Sequence, residues 1–170
     1  MADDNNKTPP VMKIRPPTSA SLKKLQALHE KKVAEAMVQP EIGDKLEDGT
    51  VYCGVSPDTG TTLYAMPEDA GLTMNFGEAA KYYAEKMNEQ HAFGHSDWRV
   101  PTESELNVLF ENSAKGLLKD TFNASGNKPE GWYWAADEAN ASFGKCQRFT
   151  DGCKTSDRKD CAMSVRLVRG

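Results

Sequence analysis

The sequence predicts a mixed α+β domain preceded by an extended, proline-rich arm and an N-terminal helix. Two segments after residue 40 repeat apolar residues at the 3.6-residue period of a helix, and short apolar or alternating runs between turn residues indicate antiparallel strands. A chain of 170 residues is long enough for one domain with a core and a tail. We therefore expect an arm in residues 1–18, a helix and linker in 19–40, and one domain in 41–170.

The arm and the helix after it are candidates for binding a partner. Residues 1–18 carry four prolines among Asp, Asn and Lys, a composition that forms neither a helix nor a core. From Ser19 to Val38 helix formers dominate, with apolar residues on one broad side, and Pro40 ends the helix. The helix lies either on its own domain or on a partner, and the residues leave both interpretations open. The residues assigned to partner binding are Pro9, Pro10, Ile14, Pro16, Pro17, Leu22 and Leu25.

The domain begins with a predicted hairpin and a helix. "DGTVYCGV" and "TTLYAM" read as two strands joined by the turn "SPDTG". Asn75 and Glu78 have the spacing of a capping box at the start of a helix. The apolar residues of this helix form one continuous stripe at a 3.6-residue period, made of Phe76, Ala79, Ala80, Tyr83, Ala84 and Met87.

The stretch "GHSDWRVPTESEL" predicts an extended segment that turns at once into a second helix. Pro101 favours an extended residue before it, and Thr102 with Glu105 forms a second capping box. Trp98 then lies at a strand-to-helix corner, where its ring fills the space between the two helices. Arg99 is expected to tie loop carbonyls or a carboxylate, and a role in ligand binding is the less favoured alternative.

The last third is predicted to be rich in strands. "GWYWAA", "KCQRFT" and "MSVRLVR" are strand candidates, and Asp151-Gly152 signals a two-residue hairpin turn. Alternation in "MSVRLVR" predicts a half-buried strand with Ser164 and Arg166 facing water. The aromatic cluster in this third is interpreted as core, and a sugar-binding surface is the alternative. That possible ligand surface comprises Trp132, Trp134 and Arg148.

Taken in order, these motifs resemble a known family. "GHSDWRVPTESELNVLF", "FNASG", "GWYWAA", "QRFTDG" and "SVRLVR" are similar to the ordered signature of the Lcl C-terminal domain family, which is named for a collagen-like bacterial adhesin. The resemblance runs from about Glu41 to Arg169. It implies a fold similar to C-type lectins and formylglycine-generating enzymes, with two helices flanking small antiparallel sheets and the chain ends close together. The residues that carry this structural signature are Trp98, Arg99, Pro101, Thr102, Glu105 and Arg166.

The chain departs from the family pattern in two places, and the resemblance implies display or binding more than catalysis. Ala135 and Ala136 stand where members often have a Ser-Ser pair, which puts any polar role of that pair in doubt. Members also usually lack the three late cysteines that this chain carries.

The four cysteines are candidates for disulfides or free thiols. Cys53, Cys146, Cys153 and Cys161 contain no CxxC pair, so their spacing does not predict a zinc site. A two-residue turn at Asp151-Gly152 would place Cys146 about 13 Å from Cys153, beyond the reach of a disulfide. Cys161 could pair with either of them, and Cys53 or a neighbouring subunit could take the remainder. Free thiols are the favoured state, and disulfides formed outside the cell are the alternative.

Several classes of function are disfavoured. A net charge of -4 without a basic patch argues against nucleic-acid binding, and no apolar run is long enough to insert into a membrane. The three histidines are scattered, and no spacing specifies a catalytic set. Asp151, Asp157 and Asp160 offer oxygen ligands for calcium, but they lack the EF-hand pattern and a solvated acidic turn is the favoured interpretation. We therefore predict no enzyme, no cofactor and no metal.

The leading hypothesis is a non-catalytic structural protein of a large assembly. A bacteriophage virion component of the tail, collar or capsid, anchored by its arm, is favoured. "MADDNNKTPP" is polar where a signal peptide has an apolar run, so we expect synthesis in the cytoplasm and incorporation into a virion, with a cytoplasmic location as the alternative. Its partners would be other protein subunits or copies of itself. The other classes are a carbohydrate- or receptor-binding adhesin module, which would bind a glycan, and a formylglycine-generating enzyme that binds copper through two cysteines.

Overall fold

The computed structural model describes residues 18–36 and 40–170, and its contacts divide the chain into two units, Met1–Gln39 and Pro40–Gly170. The first unit contains helix α1, Ser19–Ala36. The backbone N–H of Ser21 donates to the Thr18 hydroxyl at 3.3 Å, a side-chain contact that satisfies one free donor at the start of the helix. The five arm residues assigned to partner binding lie outside the described residues, namely Pro9, Pro10, Ile14, Pro16 and Pro17.

The second unit is a mixed α+β domain with two small antiparallel sheets, as the sequence predicts. The first sheet has the order β1-β2-β6 and contains β1 (Val51–Val55), β2 (Thr62–Ala65) and β6 (Val168–Arg169). The predicted first hairpin is confirmed. Because β6 pairs with β2, the beginning and end of the domain lie in the same sheet.

Helix α2 begins with the predicted capping box but is not regular. The Glu78 N–H donates to Asn75 Oδ1 at 2.9 Å, and the Glu78 carboxylate accepts from the Asn75 N–H at 3.1 Å. The helix then runs through a π-helical segment, Glu78–Tyr83, into an α-helical segment, Ala84–Glu89. The predicted continuous 3.6-residue period is therefore wrong in the first half, because a π-helical turn contains more residues than an α-helical one.

Helix α3, Glu103–Asn112, starts where the sequence predicts. The Thr102 hydroxyl accepts from the Glu105 N–H, and the Glu105 carboxylate accepts from the Thr102 N–H, so the capping box is complete. Leu106 and Leu109 are fully buried and pack the helix against the first sheet and the middle of the domain.

The second sheet has the order β3-β4-β5 and contains β3 (Trp132–Glu138), β4 (Phe143–Arg148) and β5 (Lys154–Arg158). The predicted two-residue hairpin turn between β4 and β5 is wrong. The Arg148 N–H donates to the Cys153 carbonyl at 2.9 Å, so the loop has four residues and Arg148, not Thr150, lies opposite Cys153. The Arg148 guanidinium and the Cys153 N–H both donate to the Asp151 carboxylate, which stabilises the wider loop.

Strand β3 separates two hydrophobic clusters, and this explains why its first four residues are all buried. Alternate side chains of a strand point to opposite faces. Trp132 and Trp134 therefore contact one cluster, whereas Tyr133 and Ala135 contact the other. The first cluster also contains Leu63, Leu106, Leu109 and Phe149, and the second contains Trp98, Val100, Met163 and Val165.

The predicted half-buried strand in "MSVRLVR" is wrong. Only Val168–Arg169 forms a strand, and Ser164 and Arg166 are buried rather than exposed to water. The segment before Val168 crosses the domain and bonds to several elements: the Ser164 N–H donates to the Trp132 carbonyl, and the Leu167 carbonyl accepts from the Met66 N–H. Protein lies on both sides of the segment, so the alternation of polar and apolar residues does not mark a solvent face.

No helix within residues 18–36 and 40–170 combines the length and the hydropathy needed to cross a membrane.

Candidate functional site

Glu105 is the centre of the family-like signature. Its carboxylate is fully buried and accepts hydrogen bonds from the Ser56 hydroxyl at 2.6 Å and from two Arg99 nitrogens at 2.5 and 2.8 Å. Burial alone would raise the pKa of Glu105, but the hydrogen bonds from Arg99, Ser56 and the Thr102 N–H outweigh that effect and hold it at about 2. Glu105 is therefore ionised in the folded protein at neutral pH.

Arg99 joins this carboxylate to the C-terminal end of the domain. Its guanidinium also donates to the Gly170 carbonyl at 3.4 Å, and its backbone pairs with Val168. The hydrogen bonds to Glu105 raise the pKa of Arg99 above its usual value. The expectation that Arg99 ties a carboxylate is confirmed. The Arg99 side chain is 35% exposed, and it lines an open pocket of about 460 Å³ together with Asp58 and Asn88.

The neighbours of Arg99 in the signature also hold the fold together. The Trp98 ring is buried, and its Nε1–H donates to the Ala92 carbonyl at 2.8 Å. Asn88 of helix α2 bonds to both the N–H and the carbonyl of Trp98, which fixes the corner against that helix. The Pro101 carbonyl accepts from the Ala136 N–H at the end of β3. Trp98 lies at the predicted corner and is fixed against helix α2; the part of the prediction that places its ring between both helices stays a prediction.

Arg166 forms a second buried network. Its guanidinium donates to Asp69 at 2.7 Å, to the Met66 carbonyl at 3.0 Å and to the Thr121 carbonyl at 2.6 Å, and it lies 4.1 Å from the centre of the Phe122 ring. Burial raises the pKa of Asp69, and the charge of Arg166 acts in the opposite direction. Arg166 thus connects its own segment to two others that are distant in sequence, residues 66–69 and 121–122.

The residues predicted as a possible ligand surface are mostly covered. Trp134 is 0% exposed, and its Nε1–H donates to the Met74 carbonyl at 3.0 Å. Trp132 is also buried, with Lys128 and Arg148 each 5.2 Å from the centre of its ring. The two rings therefore do not form an exposed platform, as the core interpretation expects. Arg148 is the member of the set that reaches solvent, where it pairs with Asp151 at 2.6 Å.

All four cysteines are free thiols, so the structure does not contain the disulfides considered from the sequence. Cys53 and Cys146 are buried, and burial raises the pKa of both thiols to about 12. Cys153 is exposed and Cys161 is half-buried. Across the described segments, no three His, Cys, Asp or Glu side chains lie together in a way that could hold a metal ion.

A groove beside helix α2 was missed by the sequence analysis. It lies between residues 71–74 and the helix, has a volume of about 560 Å³, and is lined by Leu72, Met74, Tyr82 and Tyr83. Leu72 is 78% exposed and Tyr82 is 71% exposed. The available signal was Tyr82, a large aromatic residue outside the predicted buried stripe of the helix.

A comparison of the sequence with family models identifies a match, and it covers most of the domain. The model described as "Lcl C-terminal domain" matches residues 45–169, which include both sheets, helices α2 and α3 and all of the signature residues. A search of curated proteins found no match. The chain belongs to the family of Lcl C-terminal domains.

Proposed function

We propose that this chain is a non-catalytic structural subunit of a large assembly, namely a bacteriophage virion component of the tail, collar or capsid. In this proposal the first unit attaches the chain to partner subunits, and the 40–170 domain is displayed. The observation that carries the proposal is helix α1, an 18-residue helix with exposed leucines.

Helix α1 has the properties of an element that is completed by a partner. Leu22, Leu25 and Leu28 are 52%, 61% and 56% exposed. A helix of this length spans about 27 Å, and helices in proteins obtain most of their stability from packing an apolar face. Burying one leucine side chain contributes about 1.5–3 kcal/mol, so burial of all three leucines on another subunit favours the docked helix.

The domain supports display rather than catalysis because its charged signature residues are engaged with one another. The Glu105 carboxylate accepts hydrogen bonds from Arg99, Ser56 and Thr102. The Arg166 guanidinium donates hydrogen bonds to Asp69 and to backbone carbonyls. These hydrogen bonds hold distant segments together, which is a structural role for both residues.

The test is to replace all three leucines by serine, L22S/L25S/L28S, in the full chain. The matched control replaces Lys23 and Lys24 of the same helix by serine, which changes charge but not the apolar side chains. We expect the leucine variant to be lost from virus particles purified on a density gradient, whereas the wild type and the lysine control co-migrate with them. Tryptophan fluorescence checks that the domain is folded, since all three tryptophans lie in it. Undiminished incorporation of the leucine variant contradicts the proposal.

A further inference from the structure

The groove beside helix α2 is an apolar surface that lacks a partner in the structure. Of the large apolar side chains in the described residues, Leu72 and Tyr82 are the two most exposed, and both line this groove. Met74 and Tyr83 form the rest of its apolar wall and are half-buried. Two large side chains left in water at one place mark an interaction surface, because scattered single residues are the usual pattern of a soluble surface.

The helix that forms one wall is distorted at the groove. The π-helical segment Glu78–Tyr83 includes both wall tyrosines, and π-helical turns occur frequently at functional sites. Tyr83 donates its hydroxyl toward the Met66 sulfur in the core, whereas neighbouring Tyr82 points outward. The distortion thus accompanies a pair of adjacent tyrosines of which one is anchored and one is free to contact a ligand.

The rim of the groove is acidic. Glu78 lines the groove itself, and Glu85 and Glu89 line a shallower continuation of about 430 Å³ that shares Tyr82 and Lys86 with it. Among the described side chains that line the groove and its continuation, three are carboxylates and one is an ammonium. A ligand with apolar side chains and an excess of positive charge complements both the wall and the rim.

A groove lined by aromatic and aliphatic side chains suits an extended, proline-rich segment, which loses little conformational entropy on binding. The chain itself contains one such segment, "VMKIRPP", residues 11–17, with three apolar residues, two prolines and the cations Lys13 and Arg15. It lies outside the described residues and belongs to the arm of residues 1–18, a length of chain that spans at most about 60–65 Å.

We propose that the groove binds residues 11–17 of a neighbouring copy of this chain. This inference rests on the proposed assembly function and names the partner for the 40–170 domain. Each copy then supplies one segment and one groove, so that exchange of segments between copies uses every groove in a closed or repeating assembly.

The first experiment measures self-association of the full chain by sedimentation and light scattering. The groove variants are L72D and Y82S, and the matched control is L117D, at an exposed leucine that does not line the groove. We expect concentration-dependent association of the wild type and the control, and association at least about tenfold weaker for both groove variants. A wild-type chain that stays monomeric, or groove variants that associate like the control, would overturn the proposal.

A charge exchange tests the pairing directly. K13E/R15E in the arm and E85K/E89K on the rim are each expected to weaken association, and the combined variant is expected to restore it. Glu78 is left unchanged because its carboxylate completes the capping box. If the combined variant associates no better than either parent, the arm does not bind at this rim and the proposal fails.

A labelled peptide of residues 7–17 separates this inference from the proposed function. Titrated into the full-length K13E/R15E chain, it is expected to bind, and L72D in that background is expected to weaken binding at least tenfold. If the leucine variant of α1 is lost from particles while L72D binds the peptide normally, the proposed function stands and this inference falls. If L72D abolishes peptide binding while the α1 variant still enters particles, the groove stands and attachment through α1 falls.

Discussion

Replacing Glu105 by glutamine removes the charge at the centre of the signature while keeping its shape. The pKa of Glu105 is lowered from 4.5 to about 2 in the folded protein. At about 1.4 kcal/mol for each pKa unit, this lowering corresponds to about 3 kcal/mol of stability at neutral pH. A loss of about 3–5 kcal/mol is also typical when one partner of a buried ion pair is removed. We therefore expect E105Q to lower the free energy of unfolding by about 3 kcal/mol at pH 7.

The pH dependence of this cost follows from the sign of the shift. Because the folded pKa lies below the unfolded one, the stabilisation is present above about pH 5 and is lost as the pH falls through about 2. The cost of E105Q should therefore shrink by about 2 kcal/mol between pH 7 and pH 3. Urea unfolding followed by tryptophan fluorescence measures both values, since all three tryptophans lie in the 40–170 domain.

The control for this experiment is E111Q in the same helix. Glu111 is exposed, and its carboxylate accepts one hydrogen bond, from Asn107 at 2.7 Å. This substitution should change stability by less than about 0.5 kcal/mol. A cost of E105Q below about 1 kcal/mol at pH 7, or one that is the same at pH 3 as at pH 7, would refute a stabilising role of the Glu105 charge.

Two further predictions concern the thiols and the packing of the second sheet. At pH 8 an alkylating reagent should label Cys153 at once but Cys53 and Cys146 only after unfolding, because burial raises the pKa of the Cys53 and Cys146 thiols to about 12. Peptide mass spectrometry measures the order in which the cysteines are labelled. Early labelling of Cys146 would contradict its burial. G144A should lower the free energy of unfolding by about 1–3 kcal/mol, because its added Cβ meets the ring of Phe76, which packs edge-on against Trp134. An unchanged urea midpoint of unfolding would show that the Phe76 ring moves freely.

The features that the sequence predicted correctly are those decided by residues close together in the chain. The two capping boxes, at Asn75 and Thr102, depend on side chains three residues apart, and both are present. The hairpin of β1 and β2 likewise depends on two neighbouring runs and a short turn. Local chemistry determined these starts and turns, and the surrounding fold did not override it.

The features that were missed depend on contacts between distant segments. Ser164 and Arg166 alternate with apolar residues as a solvent-facing set would, but other segments cover them and bond to them. The π-helical segment and the exposure of Leu72 also arise from how elements pack, which periodicity does not report. The wider loop after β4 is an exception, because it contains a local salt bridge between Arg148 and Asp151, three residues apart, that a turn preference does not include.

The signature residues of the family hold this fold together. The strands of the domain have between two and seven residues, so the backbone hydrogen bonds between strands connect few segments. Buried side chains make the long connections instead: Arg166 bonds to Asp69 across 97 positions, and Glu105 bonds to Ser56 across 49. Variants of these residues will therefore change stability first, because each leaves a buried charge or acceptor without its partner. Binding is better sought at apolar side chains that the fold leaves in water, such as the leucines of α1 and the groove at Leu72 and Tyr82.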